Sequence, residues 1–120
     1  MSFAVTDAVS AALGAALDGV SVRQRVIADN IANIDTPGFR ASSVDFESSL
    51  RAAIAGGQVE NGTPLSVTAT PTDTPVGPNG NNVDLRHEAM AAMQTQYQYQ
   101  VMTRAVGDRH ELLKTAAGAF

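Results

Sequence analysis

The stretch Ala28–Phe46, ADNIANIDTPGFRASSVDF, decides how the rest of the chain is organised. Its TPGF segment, residues 36–39, predicts a tight turn. Pro37 fixes φ at the second position of such a turn, and Gly38 accepts the positive φ that a type II turn requires at the third. Because proline also disfavours helix in the residue before it, a helix that enters this stretch should end by about Ile34.

Two asparagines, Asn30 and Asn33, fall in the last turn of that expected helix. Asparagine is a poor helix former because its side chain competes for backbone hydrogen bonds. The amides could satisfy open backbone carbonyls of the same chain, or they could reach a neighbouring chain. The sequence leaves both alternatives open.

Upstream of the turn, residues 5–33 have the periodicity of a long helix, and we assign residues 1–34 to an N-terminal helical segment. Its apolar side chains recur with alternating gaps of three and four, which is the spacing of a heptad-like stripe. Gly14 and Gly19 lower the helix propensity and are expected to soften the middle. The stripe consists of Leu13, Leu17, Val20, Ile27, Ile31 and Ile34.

Between residues 35 and 82 the periodic signals are weaker. Residues 35–54 hold the turn motif and a segment that is either extended or a short helix, ended by the glycines at 56 and 57. Residues 55–82 are rich in Gly, Pro, Thr and Asn, which forbids a long helix and predicts a flexible linker or a small exposed lobe. The only alternation, at Leu65, Val67 and Ala69, predicts one short strand.

The last segment, residues 83–120, is expected to form a second long helix, with Asp84 as its N-cap. Its polar run Gln94–Gln100 suits either a hydrogen-bonding interface or a solvated face. Gly107 and Asp108 are expected to disturb its last turns. The apolar residues form two rows that make one wide stripe: Met90, Met93, Tyr97 and Val101, then Met102, Val106, Leu113 and Ala116. The predicted fold class is therefore mainly α, a coiled-coil-like hairpin of two long terminal helices with a Gly/Pro-rich irregular or small β segment between them.

Composition excludes several functional classes. The chain has 120 residues, so it forms one domain at most, and it has 8 Lys and Arg against 12 Asp and Glu, without the basic stripe of a nucleic-acid-binding protein. It has no cysteine, which excludes disulfides and thiolate metal sites. No run of about 18 apolar residues could span a membrane. The first residues lack a basic leader and a long apolar run, so no cleaved signal peptide is expected.

Residues for catalysis are scarce. The two histidines, His87 and His110, are 23 positions apart in the sequence on one expected helix, too far to share a metal ion. Asp84 and His87 could hold at most a weak ion, and a surface histidine is the favoured interpretation. We find no nucleophile with a base and no phosphate-binding glycine pattern. We therefore predict no enzyme activity, no cofactor and no metal.

A single copy of such a hairpin is expected to be marginally stable. Two helices leave part of each apolar stripe exposed, so the helix ends should fray in the monomer and become ordered when neighbours supply the missing surface. Repeated contacts between different surfaces of identical chains build rings or open helical filaments.

The residues around the turn, together with a second block near the C-terminus, resemble the signature of the flagellar basal-body rod and hook protein family. The first block is NIANIDTPGFR, residues 30–40, with flanking matches from Leu17 to Phe46. The second begins with NNVDL, residues 81–85, and ends with LKTA, residues 113–116. The short chain length is similar to that of the short proximal rod members, and the second block favours one of the two over its sister.

The resemblance implies a structural subunit of the proximal rod, with both terminal helices packed as coiled coils in the rod wall. It implies other rod and basal-body proteins as partners, self-association in a ring or helical rod, and no nucleic acid or membrane span. It also implies a place in the periplasmic part of the basal body, reached through the flagellar export apparatus without a cleaved signal. The alternatives are the sister proximal rod protein and a soluble adaptor or chaperone-like hairpin that binds a partner helix.

Two sets of site residues follow. The family's turn motif is carried over to Asn30, Asn33, Asp35, Thr36, Pro37, Gly38 and Phe39. Subunit contacts are predicted at Leu13, Leu17, Val20, Ile27, Ile31, Leu85, Met90, Met93, Tyr97, Val101, Met102, Val106 and Leu113. None of these residues is expected to be catalytic.

Overall fold

The computed structural model describes the backbone of residues 2–118 and the side chains of residues 8–118. Along the chain, helix α1 (Ser2–Ala32) is followed by strand β1 (Ser42–Val44), helix α2 (Phe46–Ala55), strand β2 (Ala69–Pro71) and helix α3 (Leu85–Gly118). The long helices α1 and α3 lie antiparallel in a particle of 67 × 27 × 14 Å. The predicted fold class, mainly α with long terminal helices and a small β element in the middle, is confirmed.

Helix α1 ends in the turn that the sequence predicts. Gly38 has φ of +75°, and the amide of Phe39 donates to the carbonyl of Thr36 at 3.2 Å, as a type II turn requires. Asn33 N also donates to the carbonyls of Asp29 and Asn30, which closes the last helical turn. The chain then leaves the helix and enters β1.

The segment after β1, which the sequence left as extended or helical, is the helix α2. Asp45 is its N-cap: one carboxylate oxygen accepts from Ser48 N at 3.1 Å and the other from Ser48 Oγ at 2.7 Å. These two hydrogen bonds hold the pKa of Asp45 below its usual range. Gly56 caps the other end, with its amide donating to the carbonyl of Ala52 at 3.0 Å.

The Gly/Pro-rich segment folds back along the chain and contributes a strand. β2 pairs antiparallel with β1, in the register Ser42 with Pro71 and Val44 with Ala69. The predicted strand over residues 65–69 was therefore wrong in its position, since the ladder begins only at Ala69. Leu65 and Val67 still alternate as half-buried positions and pack on the core without pairing to another strand.

The hydrophobic core lies between α1 and the lobe formed by β1 and α2. Its buried residues are Ala16, Val20, Val44 and Phe46. Phe46 lies directly against Gly19, where an added Cβ would be only 2.4 Å from the ring atom Cγ. Gly19 was expected only to soften the helix; instead it permits the close approach of an aromatic ring, which no larger residue would allow.

Helix α3 is continuous from Leu85 to Gly118. The disturbance expected at Gly107 and Asp108 does not occur, because one glycine in a long helix costs only about 1 kcal/mol and can be carried by the flanking turns. Asp84 caps the start as predicted, with its carboxylate accepting from His87 N at 3.2 Å. In the described part of the chain, none of the helices is long and apolar enough to cross a membrane.

Candidate functional site: the turn motif and the outer face of α3

The turn motif and the second sequence block are bound to each other by asparagines. The Asn81 side chain donates to the carbonyls of Asn33 and Thr36, both at 2.8 Å. Asn82 accepts from Ala41 N at 2.6 Å through Oδ1, and both asparagines are buried. A backbone bond from Gly38 N to Asn79 O at 2.9 Å completes the contact. This asparagine contact fixes the start of α3 against the end of α1.

The side chain of Asn30 forms its hydrogen bonds within the chain. It is 1% exposed, its Nδ2 donates to Ser42 O at 2.7 Å and to Glu88 Oε1 at 3.1 Å, and its Oδ1 accepts from Ser42 N at 3.2 Å. Asn33 Nδ2 donates to Asp29 O at 2.8 Å. Of the two alternatives left open by the sequence, satisfying the chain's own polar groups is therefore the one observed for both amides.

The remaining motif residues are on the surface of the turn. Thr36, Pro37 and Gly38 are exposed, as is Asp35, whereas Phe39 is half-buried. Thr36 Oγ1 donates to Asn33 Oδ1 at 3.1 Å, which adds a side-chain bond to the turn. The motif thus has a buried inner side, formed by Asn30 and its partners, and an exposed tip.

A second polar cluster, centred on Arg23, joins three elements. Its guanidinium donates to Val44 O at 2.7 and 3.1 Å, to both carboxylate oxygens of Glu47, and to Gln98 Oε1 at 3.1 Å. It also lies 4.5 Å from the centroid of the Phe46 ring. The hydrogen bonds from Arg23 hold the pKa of Glu47 below its usual range, against the opposing effect of burial.

Sequence reasoning missed this cluster because the partners of Arg23, Glu47 and Gln98, lie far from it in the sequence. A signal was present. Arg23 lies three residues after Val20 and four before Ile27, so it interrupts the apolar stripe of α1 on the side that faces the core. A charged residue at such a position requires a partner when it is buried, and Glu47 is that partner.

The residues predicted as subunit contacts fall into three groups. Val20 and Ile27 are buried within the chain and have no surface left to offer a neighbour. Four more are half-buried: Leu13, Leu17, Ile31 and Met102. The others are exposed, all of them on α3: Leu85, Met90, Met93, Tyr97, Val101, Val106 and Leu113.

The side of α3 that faces its own chain carries polar side chains from Glu88 to Gln98 and then Met102, which packs against the core, whereas a row of apolar side chains lies on the outside. Its inner face carries Glu88 and Thr95, both buried, and Gln98, which is bonded to Arg23. Its outer stripe, defined by Met90, Met93, Tyr97 and Val101, is 49% to 73% exposed. A helix that is satisfied by its own chain would show the opposite arrangement.

The described residues offer little for catalysis. Among them there is no group of three or more His, Cys, Asp or Glu side chains close enough to hold a metal ion. His87 lies exposed in the first turn of α3, and His110 lies near the other end of the same helix, lining a cavity of about 120 Å³ with Ser10, Leu13 and Val106.

Known proteins resemble this chain in sequence over most of its length. A protein-family model described as "Flagella basal body rod protein" matches residues 13–40, which contain the turn motif. The flagellar basal body rod protein FlgB of Bacillus subtilis is 35% identical over 111 residues, covering 83% of this chain and 85% of the relative. FlgB of Borreliella burgdorferi is 35% identical over 109 residues, covering 72% and 78%. FlgB of Salmonella typhimurium is 30% identical over 105 residues, covering 72% and 76%. The chain therefore belongs to the FlgB family of flagellar basal body rod proteins.

Proposed function

We propose that this chain is a structural subunit of the proximal rod of the bacterial flagellar basal body and that it assembles through its terminal helices. Membership of the FlgB family supports the rod role, since the relatives are named as basal body rod proteins. The partners are further copies of the chain and other rod and basal-body proteins. By the same resemblance, its place is the periplasmic part of the basal body, reached through the flagellar export apparatus without a cleaved signal.

One observation carries the assembly part of the proposal: the outer stripe of α3. Four large side chains, exposed by about half or more, lie in one row on a helix whose opposite face already contacts the rest of the chain through hydrogen-bonded polar groups. Exposed apolar rows of this kind mark protein interaction surfaces, because leaving them in water costs free energy that association recovers. The stripe runs along the helix, so it suits a neighbouring helix as its partner.

The proposal assigns the chain no catalytic role, no cofactor and no nucleic-acid partner. Its polar clusters support this view, since Arg23, Asn30 and Asn81 are engaged in bonds that join elements of the chain. Their contribution is to hold α1 and α3 in a fixed relation, so that both outer faces are presented rigidly. A subunit of a stiff rod needs this property.

The test uses the purified full chain and a double variant, Met93→Asp with Tyr97→Asp. Sedimentation velocity over a range of concentrations should show polymers or rings for the parent chain and monomers for the variant. Circular dichroism should give the same helix content for both, because the substituted side chains are exposed. Gln96→Ala, an exposed change beside the stripe, is the control and should assemble as the parent does.

A complementation assay connects this result to the flagellum. In a bacterium that lacks its own FlgB, the parent chain should restore swimming and the Met93→Asp, Tyr97→Asp variant should not. A parent chain that stays monomeric at every concentration and restores no motility would contradict the proposal. It would favour a hairpin adaptor that holds a partner helix.

A further inference from the structure

Asparagine is followed directly by glycine at two places in the chain, and both pairs lie in loops of the Gly/Pro-rich segment. The first pair, Asn61–Gly62, lies between α2 and β2, and the second, Asn79–Gly80, lies between β2 and α3. The two glycines have nearly the same backbone conformation, with φ of +75° and +80°. The surroundings of the two pairs differ, and this difference bears on a reaction that asparagine undergoes without an enzyme.

An Asn-Gly pair loses ammonia from the asparagine side chain by attack of its own backbone. The glycine nitrogen, after giving its proton to hydroxide, forms a bond to the side-chain carbon Cγ. The bond from Cγ to Nδ2 breaks, Nδ2 takes a proton from water and leaves as ammonia, and a succinimide ring remains. Water then opens the ring at either carbonyl, which gives aspartate or isoaspartate. Glycine favours this attack because it has no Cβ to obstruct it.

The groups of the second pair are held by hydrogen bonds. Gly80 N, the attacking atom, donates to Gly77 O at 2.9 Å, and Asn79 Oδ1 accepts from Asn81 N at 3.2 Å. The carbonyl of Asn79 accepts from Gly38 N at 2.9 Å, and an added Cβ on Gly80 would be only 3.3 Å from Gly38 Cα. The turn motif therefore covers this pair. The nitrogen is free to attack only after the loop has opened and these bonds have broken.

The first pair lies in an exposed loop. Gly62 N donates to Val59 O at 3.2 Å, but the side chain of Asn61 forms no hydrogen bond with any described residue. Residues 60–64 are all exposed, and an added Cβ on Gly62 would meet nothing within 4 Å. Opening the bond at Gly62 separates no two elements of the fold, so it should cost little free energy.

We propose that Asn61 is a site of spontaneous deamidation in the folded chain and that the fold protects Asn79 from the same reaction. The reagents are water and hydroxide, and no enzyme or cofactor is needed. The inference is independent of the assembly proposed above, because it concerns two loops of the single chain. It assigns different chemical lifetimes to two pairs of identical composition.

The products would affect the chain differently at the two positions. At Asn61 the reaction adds a negative charge to an exposed loop and breaks no side-chain contact. At Asn79, isoaspartate would lengthen the backbone by one methylene group, which would displace the carbonyl that accepts from Gly38. It would also shift Asn81, whose side chain donates to the carbonyls at the end of α1. Protection of Asn79 therefore preserves the asparagine contact.

Peptide mapping of the aged protein tests the proposal. The purified full chain is incubated in mildly alkaline buffer, both folded and in concentrated guanidinium chloride, and then digested. Mass spectrometry with fragmentation of the peptides measures the conversion of each asparagine. In the folded chain, Asn79 should react at least about tenfold more slowly than Asn61. In denaturant the two should react at similar rates, because no contact protects either pair.

Each other outcome of this comparison overturns the proposal. Equal fast rates in the folded chain would show that the contacts of Asn79 do not protect it. A rate at Asn61 as slow as that at Asn79 would show that the bond at Gly62 is sufficient to block the reaction. The same ratio of rates in denaturant as in buffer would show that the neighbouring residues in the sequence, not the fold, set the rates.

A variant tests where the protection comes from. Asn81→Ala removes the side-chain bonds to the end of α1, so Asn79 should react about fivefold faster or more while Asn61 keeps its rate. Leu112→Ala, at an exposed position of α3, is the control and should change neither rate. Circular dichroism checks that both variants are folded. If Asn81→Ala accelerates neither site or both sites equally, the asparagine contact is not what protects Asn79.

Discussion

The turn end and the free end of the hairpin are built differently. At the turn end, Asn30, Asn81 and Asn82 are buried and hydrogen-bonded, and the core residues Val20 and Phe46 are fully enclosed. At the free end, residues 8–15 of α1 and 103–118 of α3 contain no buried side chain. One cross-helix bond of 3.4 Å joins Arg109 to Ser10 there.

This difference indicates which parts of the chain fold by themselves. Buried side chains and hydrogen-bonded amides stabilise the turn end. The free end has few contacts between the helices, so its local unfolding should cost little free energy. The outer faces of α1 and α3 add apolar surface that the chain cannot bury alone. We infer that the turn end sets the geometry of the subunit and that neighbours complete the rest. The following predictions test this contrast, beginning with the largest expected effect.

Removing the ring at the centre of the core should have the largest effect. Phe46→Ala should lower the free energy of unfolding by about 3–5 kcal/mol, because it leaves a cavity beside Gly19 and removes the ring over which Arg23 lies. Denaturant unfolding of the monomer measures this change. Leu112→Ala, at an exposed position of the free end, is the matched control. Equal losses of unfolding free energy for the two variants would contradict the difference between the turn end and the free end.

Two glycines of the same helix should respond in opposite directions. Gly19→Ala should destabilise the monomer by about 1–3 kcal/mol, since the new Cβ collides with the Phe46 ring. Gly14→Ala meets nothing within 4 Å and should stabilise the helix by about 0.5–1 kcal/mol. Thermal melts of both variants check the prediction. If Gly19→Ala is also stabilising, the ring does not lie against α1 in solution.

The asparagine contact should contribute less than the core but measurably. Asn81→Ala leaves the carbonyls of Asn33 and Thr36 without their side-chain donor, and about 1–2 kcal/mol should be lost. Asn61→Ala, at an exposed loop position, should change the stability by less than about 0.5 kcal/mol. If neither change alters the free energy of unfolding, water replaces the Asn81 amide, and this side chain does not hold the turn motif to the second sequence block.

The Arg23 cluster should make stability weakly dependent on pH in acid. Glu47 has a pKa below its ordinary value in the folded state, so its stabilising effect is complete above that value and is lost as the pH falls through the folded pKa. Its side chain is 42% exposed, so the loss should be below about 1 kcal/mol.

The measurement compares unfolding from pH 6 down to pH 3 for Asp45→Asn and for the same chain with Glu47→Gln. Asp45→Asn removes the other carboxylate with a lowered pKa, which titrates in the same direction. The variant with Glu47→Gln should show the flatter profile. If the unfolding free energy depends on pH in the same way in both chains, the ion pair of Glu47 with Arg23 does not stabilise the fold.

Truncating the outer stripe should have the smallest effect on the monomer and a large effect on assembly. Met93→Ala and Tyr97→Ala remove side chains that are 73% and 68% exposed, so the free energy of unfolding should change by less than about 0.5 kcal/mol. Assembly should weaken at least tenfold, since buried aromatic anchors dominate interfaces. A stability loss above 1 kcal/mol would show that the stripe packs inside the monomer.

The sequence was sufficient for the two long helices, the turn and the fold class, because periodicity, proline and glycine act locally, whereas it left α2 as extended or helical. It was insufficient for the contacts between distant positions. Nothing local shows that Asn81 reaches Thr36, that Glu47 meets Arg23 or that Gly19 accommodates Phe46, since each pair is brought together by the tertiary fold. The strand was misplaced for the same reason, as β2 depends on pairing with β1 and not on its own alternation.

The central claim, a self-sufficient turn end and a free end that needs neighbours, is tested most directly by amide hydrogen exchange on the purified monomer. The account predicts protection in residues 20–32 of α1 and 88–102 of α3, and fast exchange in residues 2–15 and 103–118. In assembled protein the fast segments should become protected. Uniform strong protection of both helices up to residue 118 in a monodisperse monomer would contradict the account, because the hairpin would then be complete without neighbours.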